Sequence, residues 1–312
     1  MRTIITLTAA FAALHAGVTG QQRADVDFDA RVSRPAFAMG GPSVLIDGGH
    51  HNFHTAAGRY KPFADLITND GFRVASGQQP FTRQLLSKYR ILVVSNALHR
   101  DSAGLREFSP PWVEAGGKPA FGDDECDVVQ AWVERGGSLL LVADHRPFGA
   151  AAASLAGRFG VDMAKGYVFD TKNTDKDGNY RNVLLFSRDN GGLGDHPILS
   201  GREPAERVNR VMTFVGQSLT SAHGVQLLVL SPTAIDKADL RSSTPETSAH
   251  GRSQAIALKV GAGRVVVLAE AAMITAQGAG ASRMGMNVEG NDNKQFALNV
   301  MRWLGGVLEP AR

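Results

Sequence analysis

The chain has one cysteine, Cys126, so no internal disulfide can form and stability must come from core burial. It has no run of Lys and Arg. Thirty-three basic residues stand against 30 acidic ones, a formal net charge of +3, which argues against nucleic acid as a partner because phosphate binding needs a concentrated basic surface. It also lacks any apolar stretch approaching roughly 20 residues, the length that would cross about 30 Å of hydrocarbon. No membrane span is expected. There is no fixed-period repeat.

What is present is ordinary globular composition, 43% hydrophobic and 20% charged over 312 residues. Residues 1–20, MRTIITLTAAFAALHAGVTG, carry Arg2, an apolar stretch from Ile4 to Leu14 and then small residues. This is the pattern of a secretory signal peptide, so the mature chain is expected to be exported to a periplasm or the medium. No cysteine stands near the cut to accept lipid. Residues 21–42, broken by Pro35, Gly40, Gly41 and Pro42, read as a polar leader, 43–305 as a single domain and 306–312 as a tail.

Within that domain, Ser43–Asp47 (SVLID) reads as a buried strand, and Tyr60, Phe63, Leu66 and Ile67 recur at helical spacing up to a stop at Gly71. Phe72–Ala75, Arg90–Ser95 and Ser138–Ala143 are further strands, with helices over Thr82–Ser87, Gly122–Val133 and Gly149–Phe159. The Pro- and Gly-rich segment 101–122 reads as an extended surface loop. Alternating strands and helices imply a parallel sheet covered on both faces. After Val161, strands prevail. Gly261, Ala262 and Gly263 join the last two in a hairpin, and Asn293–Leu304 closes the chain as a helix. The fold class is α/β: an open, mainly parallel flavodoxin-like sheet with helices on both faces and a C-terminal antiparallel β extension.

Ligands of such sheets bind beyond the carboxyl ends of the strands. Five of the eight histidines after residue 20 fall in those loops. Asp47, His50, His51, Asn52 and His54 follow the first strand, Asn96 and His99 follow RILVVS, Asp144 and His145 follow SLLLVA, and Glu270 follows RVVVLA. His50 and His54 alternate with Asn52, a spacing open to a divalent transition metal. Asp144, His145 and Glu270 are candidates for acid/base work, and Asp47, His51, Asn52, Asn96 and His99 for ligand binding. Asp47, Asp144 and Glu270 also suit helix capping. Asn173, Asp175, Asp177 and Gly178 mimic the start of a calcium loop, but Leu184 stands where the bidentate Glu belongs, which favours an exposed turn.

The succession GGSLLLVAD, small-residue helix, HPILSG, VVVLAE and DNKQFALNVMRWL resembles secreted proteins of the class I glutamine amidotransferase-like superfamily. It is similar in particular to uncharacterised bacterial domains related to gliding-motility transporter auxiliary proteins and to the N-terminal domain of an intraflagellar-transport protein. The resemblance spans residues 43–305 and departs at the chemistry. Where the superfamily places its nucleophilic cysteine, this chain has Asp144 and His145; Cys126 lies in the preceding helix, and Glu270 is followed by Ala271 and Ala272 instead of completing a His-x-Glu pair. Glutaminase activity is not expected. The leading expectation is a protein that binds a polar small molecule, such as a carbohydrate, at the sheet edge. A metal-assisted hydrolase and an interaction module of an envelope transport system are the alternatives.

Overall fold

The computed structural model describes residues 22–38, 40–174, 183–279 and 282–309. Residues 1–21, which include the expected signal peptide, the calcium-like positions Asp175, Asp177 and Gly178, and tail residues 310–312 lie outside the described residues. After β1 (Arg23–Ala24) the chain runs β2 (Ser43–Asp47), α1 (Lys61–Asn69), β3 (Arg73–Gly77), α2 (Arg83–Leu86), β4 (Ile91–Ser95), α3 (Pro110–Gly116), α4 (Asp123–Glu134), β5 (Ser138–Val142) and α5 (Phe148–Gly157). Strands then dominate: β6 (Val161–Met163), β7 (Tyr167–Asp170), β8 (Val183–Ser187), the short α6 (Pro197–Ser200), β9 (Arg210–Phe214), β10 (Leu219–Ser221) and β11 (Val225–Val229). The last part holds β12 (Ala234–Lys237), β13 (Glu246–Ser248), β14 (Ser253–Val260), β15 (Gly263–Leu268), β16 (Ala276–Ala279), β17 (Ser282–Gly285) and α7 (Asn293–Leu304).

The main sheet is ordered β3-β2-β4-β5-β15, all parallel, and continues through the antiparallel β14, β10 and β6, with β11 also paired to β14. Strand β2 pairs with β3 on one side and β4 on the other, so the chain reverses its direction of travel across the sheet between β2 and β4. That reversal is a topological switch point, where diverging loops leave a crevice. Ser95 lies opposite Val142, and Val142 opposite Leu268, so the carboxyl ends of β4, β5 and β15 are level.

Alternation along the strands divides the core between two faces. Val44, Ile46, Val93, Leu140 and Val266 pack with α1 and α7, whereas Leu45, Leu92, Val94, Leu139 and Val265 pack with α4 and α5. The hairpin is as expected, with Val260 paired to Gly263 across a two-residue turn. Among the described residues no helix is long and apolar enough to cross a membrane.

Two segments differ from the sequence reading. Residues 101–122 contain α3, whose Trp112 is only 3% exposed; Ser109 precedes Pro110 and Pro111, and proline is compatible with the first helical turn because those amides need no intrahelical acceptor. The leader is not detached from the domain. Its β1 pairs with β16, and Phe28, Ala30, Val32 and Phe37 lie against the core on the α1/α7 face.

Candidate functional site

The loop after β2 turns on Asp47, whose Oδ1 accepts the Gly49 amide at 3.0 Å. Its other oxygen lies 2.9 Å from His50 Nδ1. His50 Nε2 is 3.1 Å from Glu125 Oε1, an oxygen that also accepts the Phe81 amide at 2.9 Å. Phe81 and Phe121 flank the imidazole, with ring centroids 4.5 and 4.8 Å away, leaving His50 8% exposed. Burial opposes protonation of this ring, but the two carboxylates outweigh it and hold the proton above the usual histidine range.

Asn52 ties the same loop to β4. Its Oδ1 accepts the His50 amide and its Nδ2 donates to the Ser95 carbonyl, both at 3.1 Å. His54 is buried and its Nδ1 faces Asn96 Nδ2 at 3.2 Å; burial and the charge of Arg59 bring this histidine down to about 3, so it is neutral. Asn96, with φ +45°, uses its Oδ1 to accept the Asp144 amide at 2.9 Å. One asparagine thus joins the loops after β2, β4 and β5.

Asp144 and Glu270 occupy equivalent positions beyond β5 and β15, two residues past the level pair Val142 and Leu268. Glu270 is fully buried and accepts the amides of Ala272 at 2.6 Å and Met273 at 2.7 Å. Burial, reinforced by the neighbouring Asp144, pushes its carboxyl well above the ordinary range. Asp144, 9% exposed, is also raised by burial, against the charge of His145 and amide hydrogen bonds from His145 and Ala271. Glu270 thus holds the first amides of the 3-10 turn Ala272–Ile274, whereas Asp144 caps no helix, α5 beginning at Phe148 without a side-chain cap. His145 Nδ1 donates to the Arg146 carbonyl at 2.9 Å, and its ring stacks on Tyr167 at 4.8 Å.

The structure therefore brings Asp47, His50, Asn52, His54, Asn96, Asp144, His145 and Glu270 to one edge. His51 is in the same loop, exposed and with φ +47°. His99 is turned to local work: its Nδ1 accepts the Asp101 amide at 3.1 Å and caps a 3-10 turn at Arg100–Ser102. The shared metal suggested by the alternation of His50 and His54 is not built, because both nitrogens of His50 lie on carboxylates and His54 Nδ1 lies on Asn96. Among the described residues no group of three His, Cys, Asp or Glu side chains is placed to hold a metal ion. Cys126 is buried, 3.8 Å from Ser154 Oγ, and burial pushes its thiol up.

Three participants escaped sequence reasoning. Glu125 was visible only as a capping carboxylate, although its partner His50 lies 75 positions away. Tyr60 was visible as one apolar helical position, yet its hydroxyl donates to the Ala271 carbonyl at 3.2 Å. Gln217, which donates to the carbonyls of Ala143 at 2.8 Å and Asp144 at 3.1 Å, gave no signal in its turn. A small cavity lined by Asp170, Asn173, Phe186, Asn190 and Ser231 shares no residue with this edge.

Comparison with protein-family models and with curated proteins finds no match. Among solved structures, the chain is similar to the mmIFT52 N-terminal domain, with a TM-score of 0.60 and 14% identity over 86% of this chain and 99% of that one. A ThuA-like protein from Bacteroides uniformis gives a TM-score of 0.43 at 11% identity, covering 88% of this chain and 93% of that one. A GMP synthase-like protein from Thermoplasma acidophilum gives 0.37 at 9% identity, covering 86% and 94%. The chain has the α/β fold of the mmIFT52 N-terminal domain, built on a mostly parallel sheet.

Proposed function

We propose that this chain is an exported binding protein that takes a polar small molecule, carbohydrate foremost, at the carboxyl edge of its parallel sheet. The observation that carries the reading is the framework itself. Asp47, His50 and Glu125 form one hydrogen-bonded run, His54, Asn96 and the Asp144 amide form another, and Asn52 connects the first to the β4 end. Groups that hold one another in this way are ordered on folding, so a ligand meets a preorganised surface and the entropic cost of binding falls. His51 and His145 remain at its outer side. By the sequence resemblance, Asp144 and His145 fall in the region where an amidotransferase carries its nucleophilic cysteine, which supports recognition over acyl transfer.

A specific observation favours a second reading, an acid/base hydrolase. Asp144 and Glu270 are both raised by burial, the kind of environment that keeps a carboxyl protonated for general acid work. A metal-assisted form would require His50 or His54 to exchange a present partner for the ion.

Calorimetric titration of the purified mature chain with neutral sugars, uronic acids and amino acids separates these readings. The expected result is saturable binding of one polar class, weakened roughly tenfold in a His51→Ala/His145→Ala double variant, about the loss of one good hydrogen bond. Absence of binding, with hydrolysis of chromogenic glycosides or esters that is lost in Asp144→Asn, transfers the assignment to the hydrolase. Neither heat nor hydrolysis sinks both.

A further inference from the structure

We infer that His50 is a proton-controlled latch that fastens the loop after β2, residues 48–54, to the N-terminus of α4. The reason is valence. Both ring nitrogens sit on carboxylate oxygens, Nδ1 on Asp47 at 2.9 Å and Nε2 on Glu125 at 3.1 Å, and a carboxylate has no hydrogen to give. Only the imidazolium, which carries hydrogen on both nitrogens, makes both contacts attractive. A neutral ring would aim a lone pair at one of the two oxygens.

The contact that opens on deprotonation is the one to Glu125. Asp47 is almost wholly buried and held by the Gly49 amide, whereas the Glu125 side chain is 23% exposed, in the first turn of α4. Glu125 also accepts the Phe81 amide, so the segment 78–82 and the loop are fastened through the same carboxylate. The charged groups acting on the ring are Asp47 and Glu125. Asp123 in the same helical turn is directed to Arg158, and Phe81 and Phe121, which face the ring from the other two segments, carry no charge.

The sign follows. Because the folded protein holds this proton above the usual histidine range, the latch is fully closed below about pH 6.5 and opens as pH rises through the folded value. Fastening of the loop does not depend on what the sheet edge binds, so the latch and the binding function stand or fall separately.

Ring-nitrogen NMR of His50, with hydrogen exchange of residues 48–54, 79–82 and 121–126 between pH 5 and 9, tests it. In the wild type the ring is doubly protonated at pH 6, and exchange corrected for its intrinsic pH dependence rises at least about tenfold as Nε2 loses its proton. Glu125→Gln leaves an oxygen for the Phe81 amide but removes one negative charge, so the transition moves about one unit or more to lower pH. His50→Gln abolishes the transition; if that variant does not fold, the shift in Glu125→Gln decides. A singly protonated ring at pH 6 with both contacts intact, or a transition unmoved by Glu125→Gln, overturns the latch.

Discussion

Asn96 holds three loops from a left-handed backbone conformation, φ +45°, that few residues adopt. Asn96→Ala keeps the Cβ in that conformation but loses the short polar side chain that makes it tolerable, at about 1–2 kcal/mol, and leaves the buried Asp144 amide without its acceptor, at about 1–3 kcal/mol. The expected loss in urea denaturation is about 2–5 kcal/mol. Asn96→Gly relieves the conformational part alone and should cost roughly half as much; equal losses would show that backbone strain plays no part. The residue types at this edge were legible in the sequence because each follows a strand whose end is fixed by its apolar run, as with Asp144 after SLLLV. Their partners were not. A strand end tells where Asp47 stands, and its contact with His50 is made within one turn of the loop, but that His50 meets Glu125 depends on how α4 packs across the sheet. His99 shows the converse: placed after a strand like the others, it has a nearer backbone donor at Asp101 and is used as a cap.

At the scale of elements, the stop after α1 shows local chemistry and tertiary contact acting on one position. Gly71 ends the helix with φ +95°, the role its sequence context suggested. The leader adds a second constraint, because a Cβ at Gly71 would lie 2.1 Å from the Phe37 carbonyl oxygen. Gly71→Ala therefore combines left-handed strain with displacement of packed backbone, and should cost about 3 kcal/mol or more in thermal or chemical unfolding. A loss below about 1 kcal/mol would mean that the leader shifts without resistance. Long elements such as α4, α7 and β14 were legible because pattern and burial agree over many residues, and β5 because its five residues form one buried, mostly apolar run. The three- and four-residue strands β6, β10, β12 and β13 were not, since two or three alternations do not distinguish a strand from a loop. The helix α3 was hidden by Pro110 and Pro111, which punctuate most loops but here occupy the first helical turn.

Over the whole molecule, the leader closes a buried ion network far from the sheet edge. Arg302 of α7 donates to both oxygens of Asp70, at 2.8 and 2.7 Å, where α1 ends; both residues are essentially inaccessible. Glu206 lies 3.1 Å from the same guanidinium and is also paired with Arg202. The Arg34 carbonyl and the Ala36 amide bring the leader onto this pair at 3.2 and 2.8 Å. Desolvating such charges is costly, so the pair adds little when intact, yet removal of one partner strands the other. Arg302→Met is expected to lose about 3–5 kcal/mol in denaturant unfolding. Asp70→Leu combined with Arg302→Met should recover part of that loss, since no lone charge remains at the Asp70 position, although the Ala36 amide then lacks its acceptor. A coupling of about 2 kcal/mol or more in the resulting cycle identifies a true pair. Acid supplies an independent check. Burial raises the Glu206 carboxyl, but hydrogen bonds from Arg202 and the charge of Arg302 outweigh it and leave it below the ordinary value. Its stabilisation is then present above about pH 4.5 and lost as pH falls through the folded value, so Arg302→Met should flatten the acid limb of the stability curve. An acid limb unchanged in Arg302→Met, together with coupling near zero, would mean that charge pairing plays no part in joining α1, α7 and the leader.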